Sequence, residues 1–242
     1  GDRIMIDKMV GKTEVALYGL AYSIGMLVQL FISGMNSALT PWMYSKIKKG
    51  DIRSMRKVLQ LLSVVVVGIA VALMLISPEL VLIFGSPKYR EAVYVIPPVA
   101  ASVFFIFIYN ILSMPQFYYE KTQFLMAASM AAAGANVVLN FIFIRLFGYI
   151  AAGYTTLACY MLYSVGHYIV SKRILVNEGI QENLMSPGFL VACSVFLIGA
   201  SIICNLIFPY RILRYAILLA SAGLVFWKKE LLLKTMADIR KK

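Results

Sequence analysis

Seven stretches of predominantly apolar residues, 16–40, 57–84, 92–117, 122–147, 149–171, 187–208 and 211–228, follow one another with only short polar connectors between them. Each approaches the roughly 20 residues that an α-helix needs to cross the hydrocarbon core of a bilayer. In hydrocarbon every backbone N–H and C=O has to be satisfied within the protein, so only helices and closed barrels can span it. Barrel strands would show as segments of about 10 residues with alternating polarity, and the sequence has no such pattern. The expected fold class is therefore all-α, a polytopic membrane helix bundle of about seven transmembrane helices. The apolar stub Ile4-Met5-Ile6, followed by a polar turn through Gly11 and Lys12, reads as the end of an eighth helix.

Composition agrees: 61% hydrophobic and only 14% charged residues lie well outside the mix of a soluble domain. A net charge of +12 invites a nucleic-acid reading, but the positions of the charges argue otherwise. Lys46, Lys48, Lys49, Arg53, Arg56 and Lys57 crowd one connector between the first two full spans. With that connector in the cytoplasm and the spans alternating, 15 of the 23 Lys and Arg fall inside, among them Lys121, Lys172, Arg173 and those of the basic tail 228–242. The bias follows the positive-inside rule and adds attraction to anionic membrane lipids. A basic groove interleaved with aromatics is missing, so nucleic acid is not expected as a partner. The chain is read as multi-pass in the cytoplasmic membrane, with its C-terminus cytoplasmic.

Several spans carry a polar seam. At about 100° of turn per residue, Thr122, Ser129, Ala133, Asn136 and Asn140 share one face of the fourth span. An asparagine amide in hydrocarbon needs a partner helix or a wet cavity, which places this span inside a bundle. In the first span, Tyr18, Tyr22, Gly25, Gln29, Ser33, Asn36 and Thr40 fall together; in the third, Ser102, Tyr109, Ser113 and Gln116, with Asn110 beside them. The fifth has Thr156, Tyr160, Tyr163 and His167 on one side. Two explanations stand side by side. The seams are helix–helix contacts, worth about 0.6 kcal/mol each, or they line a cavity through Tyr22, Gln29, Asn36, Asn110, Gln116, Asn136 and Asn140. Neutral amides and phenols suit sugar hydroxyls. Asp2 and Arg3, charges beside an apolar stub, either face such a cavity or snorkel to the interface. Arg145, opposite Asn136 and Asn140 on its helix, reads as an interface anchor.

Enzyme chemistry has little support. His167 is the single histidine, which excludes a multi-histidine metal site within this chain. No Ser or Cys carries a motif marking it as a nucleophile beside a base, and the carboxylates lie in connectors or at span ends, Glu79 and Glu120 among the latter. Cys159, Cys193 and Cys204 lie in apolar spans and read as packing residues. No catalytic residue, metal or cofactor is expected. Proline marks the expected irregularities: an interface at Pro41-Trp42, an end or kink at Ser77-Pro78-Glu79, and a kink at Pro115.

The order of certain short phrases carries a resemblance. They are Asp2-Arg3-Ile4-Met5-Ile6 with Gly11; Ala16-Leu17-Tyr18 with Ala21-Tyr22; Pro41 before Lys48-Lys49-Gly50-Asp51; Ser77-Pro78-Glu79 with Phe84-Gly85; Asn136-Val137-Val138-Leu139-Asn140; and Phe147-Gly148 with Ala151-Ala152-Gly153. The chain resembles the C-terminal half of a polysaccharide flippase of the multidrug/oligosaccharidyl-lipid/polysaccharide exporter superfamily. The resemblance implies two lobes of helices around a central cavity, alternating access, and a lipid-linked oligosaccharide as cargo. It implies that residues 1–172 are the C-terminal transporter lobe, with the end of one helix and about five spans. Residues 173–242 would add a connector, two further transmembrane helices and the tail. The chain, which opens at Gly1-Asp2-Arg3 without Met, reads as a fragment whose N-terminal lobe is a further partner. Arg3 is the residue that carries over as an attractor of the substrate's pyrophosphate. The alternatives are a cation-coupled multidrug exporter of the same superfamily and a membrane-embedded subunit of a glycan-assembly enzyme.

The charge asymmetry places residues 46–57 in the cytoplasm. A cysteine introduced at Gly50 of the full-length protein is expected to resist an impermeant thiol reagent in intact cells and to react once the membrane is opened; labelling of intact cells would reverse the topology.

Overall fold

The computed structural model describes residues 1–227, and among these it contains helices and no strand. The order is α1 (Asp2–Met9), α2 (Lys12–Gly25), α3 (Leu27–Lys48), α4 (Ile52–Phe84), a 3-10 segment (Pro87–Val95) running into α5 (Ile96–Tyr118), α6 (Gln123–Phe147), α7 (Ala151–Asn177), α8 (Pro187–Ile207) and α9 (Arg211–Trp227). Five stretches are long and apolar enough to cross a membrane: Lys12–Lys48, Ile52–Phe84, Pro87–Tyr118, Gln123–Phe147 and Pro187–Ile207. The remaining two expected spans form α7, whose hydropathy is diluted by buried polar side chains such as Thr155, Thr156, Ser164, His167 and Ser171, and α9, with 17 described residues. The basic tail 228–242 lies outside the described residues.

The core is built on α5. Its first half is apolar apart from Ser102, and every side chain from Ile96 to Ile108 is buried, as expected of a stretch without a polar face, while Tyr109, Asn110, Ser113 and Gln116 follow towards its C-terminal end. It packs on α7, α4, α3, α8 and α2. The expectation that α6 sits inside the bundle is corrected: it buries only Asn140 and Ile144 and packs at the edge, against α7 and α1. A single polar face needs shelter on one side only. Met126, Met130, Val137 and Val138 remain exposed, while Gly148 (φ +74) turns the chain tightly into α7.

The first long span is not continuous either. It breaks at Met26, whose N–H bonds the Tyr22 carbonyl at 2.9 Å. Here α2 approaches α5 so closely that a Cβ on Gly25 would stand 2.6 Å from Val99 Cγ1. Pro41, expected at an interface, lies within α3. The expected loop 46–57 is a short turn between helix ends: Lys46 is buried on α3 with its Nζ 2.6 Å from the Asp51 carboxylate, and Asp51 caps α4 by accepting from the Ser54 N–H at 3.3 Å. At the same end, Arg53 pairs with Glu182 at 3.1 Å, Arg56 donates to the Asn183 carbonyl at 2.6 Å, and Lys121 pairs with Glu178 at 2.8 Å. These contacts tie the connector after α7 to the basic turns.

Pro78 does not end α4, and Glu79, expected at a span end, lies near the end of that helix. α4 runs through to Phe84. Proline has no N–H for the carbonyl four residues back, and the Ser77 hydroxyl donates to that carbonyl, Met74 O, at 2.7 Å. Glu79 receives both terminal nitrogens of Arg214 on α9, each at 2.8 Å, and Arg214 is only 3% exposed. Removing one partner of a buried pair strands the other charge, at a cost of about 3 kcal/mol or more. Glu79→Ala is therefore expected to lower the thermal unfolding midpoint of the detergent-solubilised full-length protein, and a second change, Arg214→Met, to restore most of the loss; additive losses would show that the pair does not hold α9.

Candidate transport cavity

A cleft of about 560 Å³ opens between α1, α2, α5, α6 and α7. Its floor is set by Asp2, at the start of α1. One carboxylate oxygen accepts from Tyr18 Oη of α2 at 2.6 Å and from Thr156 Oγ1 of α7 at 3.1 Å. The other accepts from Asn140 Nδ2 of α6 at 2.9 Å. Asn140 is fully buried, its amide also donates to Asn136 Oδ1 at 3.1 Å, and its carbonyl oxygen receives the Thr155 hydroxyl. A charge held by hydrogen bonds from neutral groups is stabilised without a counter-ion.

The walls above this floor are aromatic. Tyr18, Tyr22, Tyr109, Tyr160 and Tyr163 all line the cleft. Tyr109 lies parallel to Tyr160 at 6.3 Å and meets Tyr163 edge to face at 4.8 Å. Ser129 on α6 shares a 2.9 Å hydrogen bond with the Tyr163 hydroxyl. Ala132 and Ala133, next to Asn136 on α6, keep the cleft open where larger side chains would fill it. Arg3 is exposed at the cleft, its guanidinium lying where a Cβ on Gly19 would meet it at 3.8 Å.

Of the residues expected from the sequence, Asp2, Arg3, Tyr22 and Asn136 line this cleft, and Asn140 anchors its floor. Gln29, Asn36, Asn110 and Gln116 are not among its lining residues. Gln29 Oε1 is buried without a hydrogen-bond partner, and Asn36 is half-buried, its carbonyl accepting from Thr40 Oγ1 at 2.8 Å. Asn110 is half-buried beside Tyr109, while Gln116 is buried further along α5, bonded to His167 at 2.8 Å. Tyr109, Tyr160, Tyr163, Ser129 and Thr156 belong to the site although a search for amides passes over them; their signal was their place on the same seams. Arg145, over the ring of Phe141 at 4.0 Å and exposed, stays outside the cleft.

Comparison with known proteins bears on this arrangement. The MatE family matches residues 2–142, more than half of the chain and every helix of the cleft except α7. An uncharacterized membrane protein of Haemophilus influenzae is 32% identical over 130 residues, which cover 50% of this chain and 31% of the relative. The chain thus spans less than a third of the length of that curated relative. Among solved structures none matches. An all-helical bundle with five stretches long enough to span a membrane, a polar cleft floored by Asp2, and a family match over most of the helices that build it lead to one conclusion: the chain belongs to the MatE family of membrane transporters.

Proposed function

We propose that this chain is half of an exporter that moves a lipid-linked oligosaccharide across the cytoplasmic membrane by alternating access, with the cleft as part of the sugar path. The observation that carries the reading is the chemistry of the lining. Five phenols, Asn136 and Ser129 offer neutral donors and acceptors, while the aromatic faces match the apolar faces of pyranose rings. Asp2, the one carboxylate among the lining residues, is already held by three neutral donors. Arg3 leaves a guanidinium exposed at the cleft, and a planar fork of donors suits the phosphates of a lipid linkage. One lobe cannot form both walls of an alternating-access path, so an N-terminal lobe of the same protein is the required partner and membrane lipids surround both.

A cation-coupled drug exporter is the second reading, and Asp2 favours it, because a carboxylate at membrane depth is a natural cation site. Its capping by Tyr18, Asn140 and Thr156 supports the sugar reading instead. In a strain lacking its own flippase, the full-length protein is expected to restore surface glycan. Asn136→Leu is expected to reduce export about tenfold, the equivalent of one lost hydrogen bond of about 1.4 kcal/mol, with unchanged amounts of folded protein in the membrane. Efflux of a cationic dye without glycan export would favour the second reading, and full export by Asn136→Leu would remove that side chain from the path.

A further inference from the structure

A second opening runs along the bundle between α7 and α8. Both helices pack on α5 but make little contact with each other, and the gap between them is a groove of about 180 Å³. Phe105 and Ile108 of α5 lie at its floor, Val165 and Tyr168 of α7 on one wall, and Pro187 and Val191 of α8 on the other. Its two serine hydroxyls are turned back onto backbone: Ser164 donates to the Phe105 carbonyl at 2.9 Å and Ser194 to the Leu190 carbonyl at 2.7 Å. The surface left over is apolar. Val165 and Val191 are 56% and 61% exposed, so the groove opens sideways, where a bilayer would cover it. No residue lines both this groove and the cleft.

The end of the groove at Tyr168 and Pro187 lies beside cations whose charge is unmatched. Arg56 of α4 donates its Nε to the Asn183 carbonyl at 2.6 Å, in the connector that leads into Pro187, and it lies within electrostatic reach of Tyr168. Among the described residues, its two terminal nitrogens have no hydrogen-bond partner. Lys172 is exposed one turn beyond Tyr168, on the same face of α7, and no carboxylate of the described residues pairs with it. The carboxylates of the connector are already engaged, Glu178 by Lys121 and Glu182 by Arg53.

We propose that the groove holds an anionic glycerophospholipid from the leaflet that meets the basic turns. One acyl chain lies on Phe105 and Ile108, and Arg56 and Lys172 hold the phosphate. Hydrocarbon suits a groove whose polar atoms are satisfied internally, since water would find few partners there. Basic pockets between membrane helices take anionic head groups, and a guanidinium offers a phosphate donors in a fixed fork. The lipid thereby bridges two helices that scarcely touch. Its separation from the cleft makes it a resident of the fold rather than the tail of a cargo, whichever substrate is carried.

Detergent-solubilised full-length protein is mixed with equal amounts of phosphatidylglycerol and phosphatidylcholine bearing the same acyl chains, and bound lipids are counted by native mass spectrometry. Phosphatidylglycerol adducts are expected to exceed phosphatidylcholine adducts several-fold. Lys172→Gln is expected to lower that ratio about fivefold, the effect of one basic residue near an anionic lipid surface. Lys49→Gln, the same loss of charge on the exposed turn after α3, is expected to leave it unchanged. Val191→Trp, which fills the groove from an exposed position, is expected to remove the preferred adduct. Equal binding of the two lipids by the wild type overturns the proposal, as does an equal fall in Lys49→Gln, which would reveal diffuse attraction to the basic surface. An undiminished adduct in Val191→Trp also overturns it. Displacement of phosphatidylglycerol by an equal amount of undecaprenyl phosphate would give the groove to a cargo tail and overturn it too.

Discussion

A carboxylate drawn in among packed helices must find its hydrogen bonds inside the protein, and the way Asp2 does so organises the lobe. Its donors come from three helices: Tyr18 on α2, Asn140 on α6 and Thr156 on α7. None of them bears a charge. Four helices, with α1 itself, are thereby held in one register around a polar floor. The asparagines of α6 extend the network to Thr155 and Asn136, so displacing any one of these helices would leave a buried donor or acceptor unpaired. Such groups cost far more to orphan than their hydrogen bonds contribute on balance, and the penalty is what keeps the cleft defined although α6 shelters so little surface of its own.

The opposite side of the molecule obeys a different logic. There α5 turns an apolar surface to α4 and α8, and the main polar fixture is the Glu79–Arg214 pair between α4 and α9. A bidentate guanidinium–carboxylate pair fixes orientation as well as distance, and Arg214 also donates to the Leu75 carbonyl at 2.5 Å. The lobe thus has a charged clamp on its α4/α9 side and a neutral network around the cleft, with the densely packed α5 between them.

The helices themselves were legible from runs of apolar residues, and so were Asp2, Tyr22, Asn136 and Asn140 as one polar constellation. The limits are physical. The periodicity argument groups residues along one helix but cannot say which stretch of that face meets the cleft: the close approach of Gly25 to Val99 is a contact with a residue far along the chain, invisible to a window of neighbours. Gln29 and Asn36 share the seam on paper but are not among the residues that line the cleft. Hydrophobicity also cannot distinguish a face turned to lipid from one turned to protein. For that reason the almost wholly buried α5 and the exposed edge helix α6 look alike in sequence. Arg214 and Glu79 each sit where an interfacial charge would be unremarkable, and only their meeting across 135 positions reveals a clamp.

Rigidity of the tyrosine wall bears on what the cleft can select. Tyr109, Tyr160 and Tyr163 restrain one another through ring contacts, and Ser129 fixes the Tyr163 hydroxyl. Side chains already ordered before binding lose little entropy when a ligand arrives. The hydroxyls of this wall therefore present a fixed pattern, while Arg3, exposed at the cleft, keeps the reach of a long flexible side chain. A ligand that is uncharged and polyhydroxylated at one end and anionic at its linkage would use both features, whereas a compact organic cation would meet a carboxylate that already accepts three hydrogen bonds.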